Sequence, residues 1–211
     1  MNYLFIDIEC CDGVHLCSLG GVLTDCNFHM LDKFDLLVNP QLRFKLSGRK
    51  DDGIKLFYPE QKFYEQPNFR TFYNNIKQLL MLPDVTLVGF SIQNDFNFIN
   101  LACERYGLPQ LSLTGYDIQL IYKKMTNDTT VRALEKIADA LDIPHGAFSM
   151  HRSCDDAHLS MYILRNLCYM EHKSIESVFE KYEPYCKVQS KFYDETGHQV
   201  RPRRRPATSN V

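Results

Sequence analysis

Four acidic side chains and one histidine, spread over three segments, are the residues of this 211-residue chain best placed to do chemistry. They are Asp7 and Glu9 in YLFIDIEC, Asp95 in LVGFSIQNDFNFI, and His151 with Asp156 in HRSCDDA. The run Tyr3-Leu4-Phe5-Ile6 reads as a buried strand, and burying two anions at its end costs roughly several kcal/mol unless a cation partners them. Side chains alternate faces along a strand, so Asp7 and Glu9 share one face and Ile6 and Ile8 the other. Oxygen ligands gathered from several segments suit a hard divalent ion such as magnesium or manganese, not zinc. Singly, Asp95 and Asp156 have the plainer reading of acids in a helix's first turn, Asp155 that of a cap, and His151 that of a surface residue beside Arg152. Two acids on one face of a buried strand have no comparably plain structural role.

The elements around these residues alternate in kind. Residues 3–8 read as a central strand, followed by strands at 16–24 and 28–38 joined by the polar turn Asp25-Cys26-Asn27, an antiparallel opening. Residues 47–53 are polar, charged and glycine-bearing, which predicts an exposed loop. From Pro67, the apolar positions Phe69, Phe72, Ile76, Leu79 and Leu80 follow helical spacing and end before Pro83. A short strand at 85–90 leads into a helix capped by Asn94, running to Arg105 and stopped by Gly107. After a turn containing Gly115, Asp117 caps a helix through Lys124. Leu134, Ile137, Ala138 and Leu141 mark an amphipathic helix ended before Pro144. A further helix covers 155–170, with Leu159, Tyr162, Ile163 and Leu167 inward, and a shorter one covers 174–183. His151 falls in the loop before the helix, where it is free to swing, and Asp156 in the first helical turn, where it is held. Strands first, then strands alternating with helices, give an α/β fold with a mixed sheet.

The ordered set of segments resembles the motifs of the DEDD superfamily of 3′→5′ exonucleases, the DnaQ-like or RNase T-like group, in its DEDDh branch. Asp-x-Glu closes the first strand, an Asp follows a Val-Gly segment and opens a helix, and His precedes Asp by five residues at the start of another helix. The resemblance implies a ribonuclease H-like mixed β-sheet flanked by α-helices. It places an exonuclease domain at 1–172 and leaves 173–211 as a helical extension with a basic, disordered tail. It further implies hydrolysis at 3′ ends of single-stranded nucleic acid, DNA favoured over RNA, with release of nucleoside 5′-monophosphates. Two Mg2+ or Mn2+ ions, roughly 3.5 to 4 Å apart, are the implied cofactors. In that scheme Asp7 bridges both ions, Glu9 and Asp156 complete the site that holds the attacking water, and Asp95 supports the second ion. His151 is the general base, its ordinary pKa of about 6.5 being suited to neutral pH. Asp117 resembles the family's acid between the second and third motifs and is read as a cap.

Two departures from the family pattern concern the terminal nucleotide. The first motif continues Cys10-Cys11-Asp12-Gly13 where small hydroxyl residues and glycine are common, and the second has Phe90-Ser91 in place of His-Asn. Cys10, Cys11 and Phe90 are therefore the candidate contacts to the 3′ end, with Phe90 available for stacking. Arg43, Lys45, Arg49, Lys50, Lys55, Lys123 and Lys124 are candidate backbone contacts, though a solvated face explains each singly. The arginine-rich tail adds nonspecific phosphate attraction or simply solubility.

A net charge of −2 excludes bulk attraction to nucleic acid, so phosphate binding must come from local patches. The eight cysteines show no CxxC or zinc-knuckle spacing and read as reduced thiols. With no segment of membrane-spanning length and an opening too short and acidic for a signal peptide, a soluble cytoplasmic protein is expected. The competing reading is a noncatalytic nucleic-acid-binding or polymerase-associated module that keeps the fold, with docking through the extension; a homodimer is equally open.

Overall fold

The structure, a computed structural model, describes residues 1–46 and 55–200. Arg49, Lys50 and the arginine-rich tail lie outside the described residues, as does the loop expected at 47–53. In chain order the elements are β1 (Asn2–Cys10), β2 (Leu16–Thr24), β3 (Met30–Leu37), α1 (Glu60–Tyr64), α2 (Phe69–Leu80), β4 (Val85–Gly89) and α3 (Ile92–Arg105). Then come β5 (Thr114–Asp117), α4 (Ile118–Thr126), α5 (Leu134–Ala140), α6 (Ser153–Glu171), α7 (Ile175–Cys186), β6 (Lys187–Gln189), β7 (Phe192–Tyr193) and β8 (Gln199–Val200).

Six strands form one sheet in the order β3-β2-β1-β4-β5-β6, and β7 pairs with β8 separately. The β1–β2, β2–β3 and β5–β6 pairs are antiparallel, whereas β1–β4 and β4–β5 are parallel. The sheet is therefore mixed, and its parallel pairs are joined by the helical crossovers that such pairing requires.

The alternation of β1 sets the two layers. Tyr3 and Phe5 pack with residues of α4, α5, α6 and α7 on one face, while Leu4, Ile6 and Ile8 pack with α2 and α3 on the other. Asp7 and Glu9 continue the Tyr3–Phe5 face, the side covered by α6. A register shift between Glu9 and Cys10 ends this alternation. Cys11, Cys17, Phe44, Leu56 and Phe63 make a third, smaller cluster.

Local chemistry accounts for most boundaries. Asn68 caps α2 by accepting the Thr71 N–H, and Asp117 caps α4 by accepting from Gln119 and Leu120. Gly107, at φ +59°, closes α3, with the Leu108 N–H returning to the Cys103 carbonyl. Three expectations shift. Ser91, not Asn94, stands at the start of α3, and Asn94 instead donates to the Ser91 hydroxyl at 3.1 Å. The turn around Gly115 is strand β5, where a Cβ would lie 2.8 Å from the Leu87 carbonyl of β4. Residues 175–189, expected beyond the catalytic domain, supply Val178, Phe179 and Tyr182 to the same core and β6 to the same sheet. All eight cysteines are free thiols, and Cys26 is the exposed one. Among the described residues, no helix is long and apolar enough to cross a membrane.

Candidate active site

Cross-strand register brings the acids together. Asp7 of β1 faces Gly20 of β2, and Gly20 faces Asp35 of β3, so the three occupy one row on the face covered by α6. A Cβ at Gly20 would stand 2.0 Å from the Cys154 nitrogen. A glycine there lets the first turn of α6 lie directly on the sheet beside Asp7. One row further, Ser18 faces Glu9, and its hydroxyl meets that of Ser153 at 2.9 Å. Asp156, in the same first turn of α6, is thereby placed at the end of β1. Asp95 reaches the same place from the first turn of α3, which follows β4 as it runs parallel to β1.

Glu9, His151 and Asp156 present ligand atoms within 4.8 Å of one another. His151 Nδ1 lies 3.2 Å from Glu9 Oε1, and the His151 main-chain N–H donates to Asp156 Oδ2 at 3.0 Å. Asp7 is half-buried, yet its Oδ2 has neither solvent nor a hydrogen-bond partner; Asp156 Oδ1 is in the same condition. Burial, then the charges of Asp95, Asp156 and Glu9, hold the Asp7 carboxyl well above the usual range. Burial likewise raises Asp95 well above it, against the opposing Ile8 N–H. Burial and the Glu9 charge push Asp156 up to about 7. Glu9, through its hydrogen bond and charge, raises His151 above its ordinary value.

The buried oxygens without donors, Asp7 Oδ2 on β1 and Asp156 Oδ1 on α6, set among like charges, fit a hard divalent cation: oxygen ligands with negative charge in need of neutralising. Among the described residues, the ligand atoms close enough to share an ion are those of Glu9, His151 and Asp156; Asp7 and Asp95 lie outside that group, though the Asp95 and Glu9 charges both bear on Asp7.

A family model of the RNase T group, described as an exonuclease, matches residues 4–164, which contain all five of these positions. The chain belongs to the RNase T exonuclease family. No curated protein matches it by sequence at a significant level. Solved structures match its fold. The nuclease domain of 3′hExo, a DEDDh family member bound to rAMP, aligns with TM-score 0.66 and 17% identity, covering 81% of this chain and 92% of that one. E. coli exonuclease I in complex with a dT13 oligonucleotide gives 0.62 and 14%, covering 85% of this chain but only 43% of the other. Exonuclease X in complex with 5′ overhanging duplex DNA gives 0.60 and 12%, covering 84% and 98%. At these identities the likeness is one of fold, the ribonuclease H-like mixed sheet flanked by helices.

In this exonuclease a cleft of about 200 Å³ opens beside Glu9, lined also by Ile8, Cys10, Asp12, Lys45 and Phe98. Of the three residues expected at the 3′ end, Cys10 lines it. Cys11 is fully buried in the third cluster, its N–H given to the His15 carbonyl and its carbonyl taken by the Lys45 N–H, which leaves no group for substrate. Phe90 follows Val88 onto the α4–α7 face and packs against that core. The aromatic residue in the cleft is Phe98, three positions after Asp95 and so on the same side of α3. Burial raises both thiols, Cys11 to about 11, so neither is a thiolate at neutral pH. Among the described residues, Lys45 is the basic one lining the cleft; Lys123 and Lys124 line a separate groove with Tyr185. Asp117 is a cap that also accepts the Ser91 N–H, bracing the start of α3.

Sequence reasoning missed the supports of the third motif. Asp35 Oδ2 accepts from Tyr58 at 2.9 Å and from Arg152 Nε at 3.0 Å, and its Oδ1 accepts from the Ser153 hydroxyl at 3.1 Å. Lys33 donates to Asp155 at 2.7 Å, and Asp155 also accepts the Ser149 N–H. Lys33 and Asp35 alternate on a strand that reads as an ordinary charged edge, and only the register with β2 reveals what they face.

Proposed function

We propose that the protein is a metal-dependent 3′→5′ exonuclease that hydrolyses the terminal phosphodiester of single-stranded nucleic acid, DNA ahead of RNA, releasing nucleoside 5′-monophosphates. The observation that carries this reading is the pair of partnerless buried oxygens, Asp7 Oδ2 and Asp156 Oδ1, in a cluster whose Glu9 lines an open cleft. Asp7, Glu9, Asp95 and Asp156 would hold two Mg2+ or Mn2+ ions, which would supply Lewis acidity, offsetting phosphate charge and making water easier to deprotonate.

The chain's own residues do the rest. With Nδ1–H donating to Glu9, the ring nitrogen of His151 left to accept a proton is Nε2. Its side chain is 43% exposed, so the proton passes on to solvent. Phe98 offers a ring on which the terminal base stacks without regard to its identity, and Lys45 offers a cation for a phosphate. Cys10 closes the floor of the cleft as a neutral thiol. The relatives' structures hold rAMP in one case and oligodeoxythymidine in another, so either sugar is compatible with the fold.

The test is product analysis. Matched 5′-labelled single-stranded DNA and RNA are digested with Mn2+, and the released mononucleotides are separated by chromatography. Nucleoside 5′-monophosphates and a ladder shortening from the 3′ end support the reading, with the faster polymer naming the sugar. Nucleoside 3′-monophosphates, or internal fragments first, overturn it.

A further inference from the structure

His151 adopts φ +61°, a left-handed conformation that a residue with a Cβ keeps only where its surroundings over-determine it. Three contacts act on the residue itself. Its N–H donates to Asp156, its ring meets Glu9, and its carbonyl accepts the Phe57 N–H at 3.2 Å. The neighbouring residue carries more. Arg152 Nε donates to Asp35 Oδ2 and, at 3.1 Å, to the Tyr58 hydroxyl, which itself donates to the same Asp35 oxygen. The three groups close a triangle. The Arg152 guanidinium also lies 5.0 Å from the Phe57 ring centroid and 5.7 Å from that of Tyr58.

Residues 57 and 58 therefore hold both sides of one peptide link: Phe57 binds the His151 carbonyl through its backbone, and the two rings pack on the next side chain. Asp35 ties this assembly to the sheet, in the same cross-strand row as Gly20 and Asp7. The register that sets the acid on β1 thus also sets the anchor of the histidine. A planar guanidinium donating through Nε and stacking on rings suits this place, and an ammonium does not.

We propose that Arg152 is a positioning residue for the hydrolysis: locked to Asp35 and Tyr58 and stacked on Phe57, it fixes the left-handed turn at His151 and so aims the imidazole at the acid cluster. This rests on His151 being the proton acceptor.

The experiment is a double-mutant cycle on the full chain with a 5′-labelled single-stranded oligonucleotide and Mn2+. Wild type, Arg152→Met, His151→Ala and the double variant are compared for kcat, KM, Mn2+ affinity by calorimetry, and Tm. Arg152→Met is expected to lower kcat about 10- to 100-fold, with KM and Mn2+ affinity within about twofold of wild type. In the His151→Ala background the same change is expected to move kcat by less than about twofold, because its effect runs through the histidine. Arg152→Lys is expected to recover little of the loss.

An equal loss from Arg152→Met in both backgrounds shows a general structural role and overturns the proposal. So does an unchanged kcat in Arg152→Met when His151→Ala is impaired. If His151→Ala itself keeps full kcat, the base assignment is what fails, and the positioning role falls with it. Should Arg152→Met not fold, Tyr58→Phe enters the same cycle, with a loss of about fivefold expected for one hydrogen bond and the same dependence on His151.

Discussion

Asp7 answers to two opposing demands. Without a cation it is a half-buried acid among acids, its carboxyl held well above the usual range by burial and by Asp95, Asp156 and Glu9. In the proposed function it is a cation ligand. Asp7→Asn is therefore expected to abolish most activity, by about 100-fold or more, while raising the Tm of the chelated protein, because a neutral amide removes the repulsion. Thermal denaturation in excess chelator checks the second half, and a lowered Tm would show that the cluster is not strained as described. His151 makes the complementary case. Its removal to alanine is expected to cost about 10²- to 10⁴-fold in kcat, with Mn2+ affinity preserved, since the four acids remain. At this scale the sequence was readable because acids closing an apolar strand are chemically out of place. Phe98, three residues beyond Asp95, lines the cleft, whereas Phe90 is partly buried against the core that holds Val88.

Between elements, the decisive contact is that of α6 with β2. Gly20→Ala puts a methyl group within 2.0 Å of the Cys154 backbone, which no side-chain rotation relieves. The expected result is destabilisation of about 1 to 3 kcal/mol or a displaced α6, read as a lower midpoint in urea together with weaker Mn2+ binding through Asp156. A variant with unchanged midpoint and unchanged metal affinity would contradict the placement of α6. The strands and longer helices were legible from periodicity and caps. Register was not, because Lys33 and Asp35 meet the third motif from more than a hundred residues away in sequence. Strand β5 and the sheet edge β6 are short and were hidden for the same reason: pairing across the chain, not local pattern, makes them strands.

For the molecule as a whole, the acid cluster couples stability to pH and to metal. In chelated protein, Asp7, Asp95 and Asp156 have folded pKa values raised above the unfolded value of about 4, Asp156 to about 7. Their protonated forms stabilise the fold fully below about pH 4; the Asp156 contribution is lost as pH rises through about 7, and those of Asp7 and Asp95 as pH rises through their own raised values. His151, also raised, acts in the same direction. The Tm in chelator is thus expected to fall by about 3 °C or more between about pH 5.5 and 8. Mg2+ or Mn2+ is expected to restore it most at the alkaline end, where the ligands are ionised. A chelated protein whose Tm rises over that interval would contradict this coupling. The measurement that bears most directly on the account is 3′-end shortening of a 5′-labelled single-stranded oligonucleotide by wild type and Asp7→Asn, with Mn2+ and with chelator. A ladder from wild type with Mn2+, absent in chelator and absent from a folded Asp7→Asn variant, is the predicted result. Shortening that persists in chelator or in the variant would contradict a reaction built on this cluster.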